Sequence, residues 1–116
     1  KGISGVREAI KFIKKNNSIA LMIDQRVSEG EKINFFNFPA YTTTIPAQFV
    51  KKFRCKIQPV HIERYEKIYF KISFDEQIIF GKDTDNVSIS LKLNEWLENK
   101  IRKNPSQWIW THDRWK

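Results

Sequence analysis

Apolar positions recur along this chain in two periods, one helical and one alternating, and they lay out six elements. In "GVREAIKFIKKNN", Val6, Ala9, Ile10 and Ile13 return every three or four residues, which predicts an amphipathic helix. Its late lysines suit the negative end of a helix, and the asparagines that follow can cap it. "SIALMID" is a short continuous apolar run, the pattern of a strand buried on both faces of a parallel or mixed sheet. Asp24 would then lie at the carboxyl end of a central strand, where open α/β sheets bind ligands.

"QRVSEGEKINFFNFPAYTTT" reads as a loop from its Gly30, Pro39 and polar clusters, yet it carries Phe35, Phe36, Phe38 and Tyr41 and must cover something. "TIPAQFVKKFRC" predicts a second helix with a threonine cap, Pro46 in its first turn, and Ile45, Phe49, Val50 and Phe53 on one side. Two strands follow, Lys56 to Arg64 and Lys67 to Phe74, the second alternating Ile68, Phe70, Ile72 and Phe74, with Tyr65 and Glu66 at the turn. "GKDTDN" then leads into "VSISLKLNEWLENKIRK", where Ile89, Leu93, Trp96, Leu97 and Ile101 share a helical face, and Pro105 closes the helical region. The order helix, strand, helix, strand, strand, helix predicts a three-layer α/β fragment with a mixed sheet, and no repeat or linker divides residues 1 to 116.

At 116 residues and 41% apolar, the chain has material for one domain with a core. It opens on Lys1 and its only methionine is Met22, so a piece of something longer is expected. Cys55 stands alone, which excludes an internal disulfide and a cysteine-based zinc cluster and suits a small core residue. No window approaches the roughly 18 apolar residues of a spanning helix. A net charge of +8 and a pI near 9.7 favour anionic partners, whether nucleic acid, acidic lipid or phosphorylated substrate, although a solvated basic surface has the same composition.

Several chemistries fail on spacing. His61 and Glu66 have the separation of an acyltransferase base and its orienting acid, but a strand rise of roughly 3.3 Å per residue sets them more than about 10 Å apart, far beyond hydrogen-bond reach. Two histidines and one cysteine, widely spaced, match no metal-ligand pattern. No glycine-rich nucleotide fingerprint, phosphate loop or nucleophile elbow is present, so no cofactor is expected.

The stretch "LMIDQRVSEGEKINFFNFPAYTTTIPAQFVKKFRCKIQPVHIER" resembles the lipid A biosynthesis acyltransferases, the late lauroyl and myristoyl transferases of Gram-negative bacteria. A strand ending in Asp-Gln leads there to an aromatic "FFG-x-PA-x-T" loop, here Phe35-Phe36-Asn37-Phe38-Pro39-Ala40-Tyr41-Thr42, with Asn37 where glycine is usual. A helix, a proline-bearing strand and an arginine follow, matching Ile45 to Phe53, Pro59 and Arg64. The tail, "PSQWIWTHDRWK", matches the family's closing signature at Pro105, Gln107, Trp108, Trp110, His112, Arg114, Trp115 and Lys116.

That resemblance implies a glycerolipid-acyltransferase-like domain that moves a fatty acyl chain from acyl carrier protein to a hydroxyl of a phosphorylated lipid A precursor. The place implied is the cytoplasmic face of the inner membrane, with peripheral attachment or an anchor in an amino-terminal part. The family's catalytic histidine, with an acid five positions on, would precede this chain, which becomes the carboxyl-terminal half and is inactive alone. Within it, Asp24, Gln25, Arg26 and Arg64 are the expected substrate contacts: Arg26 on an anionic group, Asp24 orienting basic neighbours or the loop. The plainer alternative is that Asp24 caps a turn, Arg26 is solvated and Arg64 makes a structural ion pair.

Phe35, Phe36 and Phe38, with Tyr41, either wall an acyl channel or plug the core, and Thr42 to Thr44 are expected to cap the second helix. Trp108, Trp110 and Trp115 suit lipid headgroups, with Arg114 and Lys116 near acidic lipid. Against that, Trp110 and His112 are expected to dock on the core, leaving Trp115 exposed. Competing functions are a non-catalytic remnant of the fold, a transferase for another glycolipid, and a basic nucleic-acid-binding module, although the last lacks an RNA-recognition motif.

Overall fold

A computed structural model describes residues 3 to 116. Helix α1 spans Ile3–Lys14, strands β1 and β2 Glu31–Phe35 and Phe38–Thr42, helix α2 Ile45–Phe53, strands β3 and β4 Val60–Tyr65 and Tyr69–Phe74, and helix α3 Asn86–Lys103. A short 3-10 turn, Pro105–Gln107, begins the tail. Helices and small antiparallel sheets together make an α/β arrangement consistent with an acyltransferase-like fragment.

The helical periods place all three helices where the sequence predicts them. Asn16 ends α1 in the left-handed conformation, at a φ of 61°, and the Asn17 N–H reaches back to the Phe12 carbonyl at 3.1 Å, which satisfies an orphan carbonyl of the last turn. The Asp85 carboxylate accepts from the Ser88 N–H at 2.8 Å and caps α3, whose last turn carries Lys100, Arg102 and Lys103 against the helix dipole. α3 is the spine of the molecule. Its first half buries Ile89 and Leu93 against Ala47 and Val50 of α2, and its second half buries Leu97 and Ile101 against Phe35 and Ala40 of the first hairpin. Each of the larger side chains here, valine, leucine, isoleucine and phenylalanine, contributes about 1.5–3 kcal/mol by leaving water.

Three expectations are corrected. "SIALMID" forms no strand: residues 17 to 23 are irregular and Asp24 lies in a bend. A central strand needs a hydrogen-bonding neighbour, but β1 pairs with β2 and β3 with β4, and among the described residues no strand lies beside it. The aromatic stretch read as a loop is the β1–β2 hairpin, in register Phe35 with Phe38, and its two-residue turn puts Phe36 and Asn37 at φ values of 52° and 66°. Those positive values are the geometry of the twisted turns that suit hairpins. The second hairpin turns on Glu66 to Ile68 rather than on Tyr65, which pairs and stacks with Tyr69 at 5.5 Å.

Gly30 is required where it stands. A side-chain carbon there would lie 2.8 Å from the backbone nitrogen and oxygen of Thr42 and 2.6 Å from Val27, so the bend before β1 can pass close to β2 only with glycine. On the β3–β4 hairpin the apolar face, Val60, Ile62, Phe70, Ile72 and Phe74, is exposed. Its polar face turns inward instead: Asn104 donates to Glu63 at 3.2 Å, and the Gln107 side chain both donates to and accepts from the Arg64 backbone at 2.8 Å.

Candidate functional site

Two structural units meet around the Asp24–Arg26 bend, the β1–β2 hairpin and the tail. The hairpin exposes the carbonyl of Phe35 and the N–H of Tyr41 at its edges, and the tail takes both. Trp115 Nε1 donates to Phe35 O at 3.2 Å, and the Tyr41 N–H donates to Arg114 O at 2.8 Å. The Trp115 and Phe35 rings stack with centroids 5.7 Å apart.

Arg114 lies at 0% exposure, with its guanidinium 4.2 Å above the Phe35 ring centroid. Nη2 donates to Thr42 Oγ1 at 3.0 Å and to Asn94 Oδ1 at 3.2 Å, and Asn94 Nδ2 returns a bond to Thr42 Oγ1 at 3.1 Å. Nε and Nη1 are buried without hydrogen-bond partners among the described residues, and so is Oδ1 of Asp24. Burial pulls the Arg114 guanidinium below its ordinary value, and the charge of Asp24 pushes it back up.

The bend itself is half open. Asp24 is half-buried and lines a cavity of about 300 Å³ with Ile23, His61, Trp96, Lys100 and Trp108. Gln25 and Arg26 are exposed. The Arg26 N–H donates to His112 Nε2 at 2.9 Å, and its guanidinium lies 5.6 Å over the Tyr41 ring. Arg64 is not brought to this cavity: it lies at the far end of β3 with its guanidinium 5.3 Å over Phe70, and it makes no ion pair among the described residues.

The aromatic residues divide. Phe35 is buried in the core, while Phe36, Phe38, Pro39, Trp110 and Trp115 line an open apolar depression of about 600 Å³. Phe36 is pinned by its N–H on Glu98 Oε1 at 2.7 Å and by Arg102 at 4.9 Å over its ring. Expectations for the tail need correction. Arg114 is interior and out of reach of headgroups, Trp115 is half-buried and docked, and Trp110 and His112, expected to dock, are exposed, although Trp110 Nε1 donates to Pro105 O at 2.8 Å. The helix-capping threonines are corrected too: Thr42 is buried under Arg114, Thr44 makes no side-chain cap, and Thr43 Oγ1 accepts from the Ile45 N–H at 3.3 Å.

His61 pairs across the hairpin with Ser73, and its nearest acid is Glu63, at 3.6 Å, not Glu66. The Asn104 side chain holds the Glu63 carboxyl below its ordinary value, with His61 and Lys71 pulling the same way. No group of three or more histidine, cysteine or acidic side chains converges among the described residues, and no helix there is long and apolar enough to cross a membrane.

Compared with known families, residues 2–116 match bacterial lipid A biosynthesis acyltransferases. The chain belongs to that family. No curated protein matches it. Within this family member the site depends on two polar residues, Asn94, which the sequence pattern did not single out, and Thr42, which it read as a helix cap and not as a partner of Arg114. Asn94 carried a signal, because it interrupts the apolar stripe of α3 at helical spacing between Ser90 and Leu97. A polar residue there needs a buried partner, and Arg114 and Thr42 supply it.

Proposed function

We propose that this chain is the acceptor-holding part of an acyltransferase that moves a fatty acyl group from acyl carrier protein to a hydroxyl of a phosphorylated lipid A precursor, at the cytoplasmic face of the inner membrane. Family membership over residues 2–116 supports the reaction class. The Asp24–Arg26 bend is the observation that carries the site. Arg26 presents an exposed cation whose main chain is fixed, and Asp24, two residues before it, has a buried carboxylate oxygen without a hydrogen-bond partner among the described residues.

Arg26 holds an anionic group of the acceptor as a charge-assisted pair, and Asp24 orients the basic groups around it. In the transfer, the acceptor oxygen forms an ester bond to the acyl carbon, the thioester C–S bond breaks, and the carrier leaves as a thiol. The hydroxyl proton goes to a base contributed from outside residues 1–116, which passes it to the departing sulfur. His61 has Glu63 as its nearest acid among the described residues, at 3.6 Å, and His112 Nε2 is engaged by the Arg26 amide, which supports a base from elsewhere. Excess basic charge suits both the phosphorylated acceptor and an acidic carrier.

The test is acyl transfer by the intact protein, with Arg26→Ala and Asp24→Asn, on the phosphorylated precursor and its dephosphorylated form. Arg26→Ala should raise KM for the phosphorylated acceptor about tenfold, as loss of one charge-assisted contact does, and leave the dephosphorylated one nearly unchanged. An equal effect on both acceptors would remove Arg26 from phosphate recognition. Residues 1–116 alone should show no turnover.

A further inference from the structure

The bend that carries Asp24, Gln25 and Arg26 lacks regular structure, which raises the question of what fixes it. From Asp24 to Gly30 the chain forms neither helix nor strand. One internal backbone bond, from the Gly30 N–H to Val27 O at 3.1 Å, closes its far end. At its near end the Arg26 N–H finds no carbonyl; it donates to the imidazole of His112, across 86 positions of sequence. An unladdered segment with so few bonds belongs to the low-stability end of a fold unless something outside it holds it.

The tail is equipped to do so. Between His112 and Trp115 it is bolted to the hairpin by the Tyr41–Arg114 backbone bond and the Trp115–Phe35 bond, and to α3 by Arg114 and Asn94. Its turn is closed locally by the His112 N–H on Ile109 O at 3.2 Å and by the Trp115 N–H on Asp113 Oδ1 at 3.0 Å. None of these bonds uses the His112 ring. The ring is therefore free of the tail's own folding and spends its Nε2 on the bend, which requires a neutral imidazole with its proton on Nδ1. Two residues on, Arg114 brings a buried positive charge that the charge of Asp24 favours.

We propose that the tail is a clamp for the acceptor-binding bend and that His112 is its positioning residue, acting through the Arg26 main chain and not on the substrate. This rests on the assignment of Asp24–Arg26 to acceptor binding. It gives the closing signature a role that neither membrane contact nor core packing supplies: His112 sets where the Arg26 side chain starts, and so where an anionic group can be met.

The experiment uses the intact protein with His112→Ala and His112→Gln, the latter keeping an acceptor atom at the end of a side chain of similar reach. Amide hydrogen exchange is followed at Arg26 and in α3, and steady-state transfer gives KM and kcat for the phosphorylated acceptor. His112→Ala should speed exchange at Arg26 about five- to tenfold, as removal of one hydrogen bond does, leave α3 protected, and raise KM by a similar factor with kcat within about twofold. His112→Gln should recover most of both. Unchanged exchange at Arg26 in His112→Ala would overturn the clamp. Loss of protection in α3 as well would also overturn it, because the tail would then be a general support. Faster exchange at Arg26 with an unchanged KM would uphold the clamp and sink the assignment of this bend to acceptor binding.

Discussion

Arg114 Nη2 and Asn94 Oδ1 meet at 3.2 Å in the interior, a cation from the tail against a neutral amide on the central helix. No carboxylate lies within ion-pair distance of the arginine among the described residues. A charge buried on these terms depends on hydrogen bonds and on the face of Phe35. That dependence makes the pair the joint between α3, the hairpin and the tail.

The two side chains should therefore be coupled energetically. Arg114→Met keeps length but removes the donors, and Asn94→Leu removes the acceptor. Each single change should destabilise the protein by about 1–3 kcal/mol, because each strands a buried polar partner. The double variant should recover part of the sum, with a coupling of about 1 kcal/mol or more. Thermal unfolding of the four proteins of the cycle measures it; strictly additive losses would show that Arg114 acts through packing alone.

The first hairpin yields a second prediction. Asn37 occupies a left-handed position, at a φ of 66°, that glycine adopts at no steric cost. Asn37→Gly should leave stability unchanged or raise it by up to about 1 kcal/mol, and Asn37→Val should lower it by about 1–2 kcal/mol. Melting temperatures of the two variants decide this. A destabilising Asn37→Gly would mean that the asparagine side chain makes a contribution of its own.

What could be read from the sequence followed the range of the forces involved. The three helices were legible because Val6 to Ile13, Ile45 to Phe53 and Ile89 to Ile101 repeat at a local period, and the Asp85 cap of α3 lies one residue before its helix. The first hairpin was hidden because its turn is Phe36-Asn37, without glycine, and four aromatics blur the alternation of Ile33 and Phe35 with Ala40 and Thr42. "SIALMID" has the apolar content of a strand, but pairing is settled by neighbours far away in sequence.

At the site, the family resemblance singled out Asp24 to Arg26 and the tail, yet not their relation. Charge made Arg114 look like a surface residue. Its burial is decided by Thr42 and Asn94, both distant along the chain, and no local pattern carries that information. Likewise the bond from the Arg26 amide to His112 has no signature at either end.

His61 supplies a third prediction. Its ring lines the same cavity as Asp24, with Glu63 as its nearest acid at 3.6 Å, a longer separation than an oriented base usually keeps. His61→Gln in the intact protein should retain kcat within about threefold, whereas loss of a general base costs roughly 100-fold or more. A loss of that larger size, measured by steady-state transfer, would bring the base inside residues 1–116 and overturn the view that it lies elsewhere.

The last prediction concerns acid stability and Asp75. After β4, this carboxylate accepts from Trp96 Nε1 at 2.7 Å and from Lys100 Nζ at 2.6 Å, tying the second hairpin to α3. The Lys100 bond, then the Trp96 bond, hold its pKa below the ordinary aspartate value. A carboxyl whose folded pKa is depressed binds protons more tightly when unfolded. Its stabilisation is complete above the unfolded value near 4 and is lost as pH falls through the lower folded value. Stability should thus fall as pH drops below about 4, and Asp75→Asn, which keeps the shape and loses the charge, should flatten that fall while lowering stability at pH 7. Melting temperatures across pH 2 to 7 for both proteins test this, and an identical slope in Asp75→Asn would place the acid-sensitive group elsewhere.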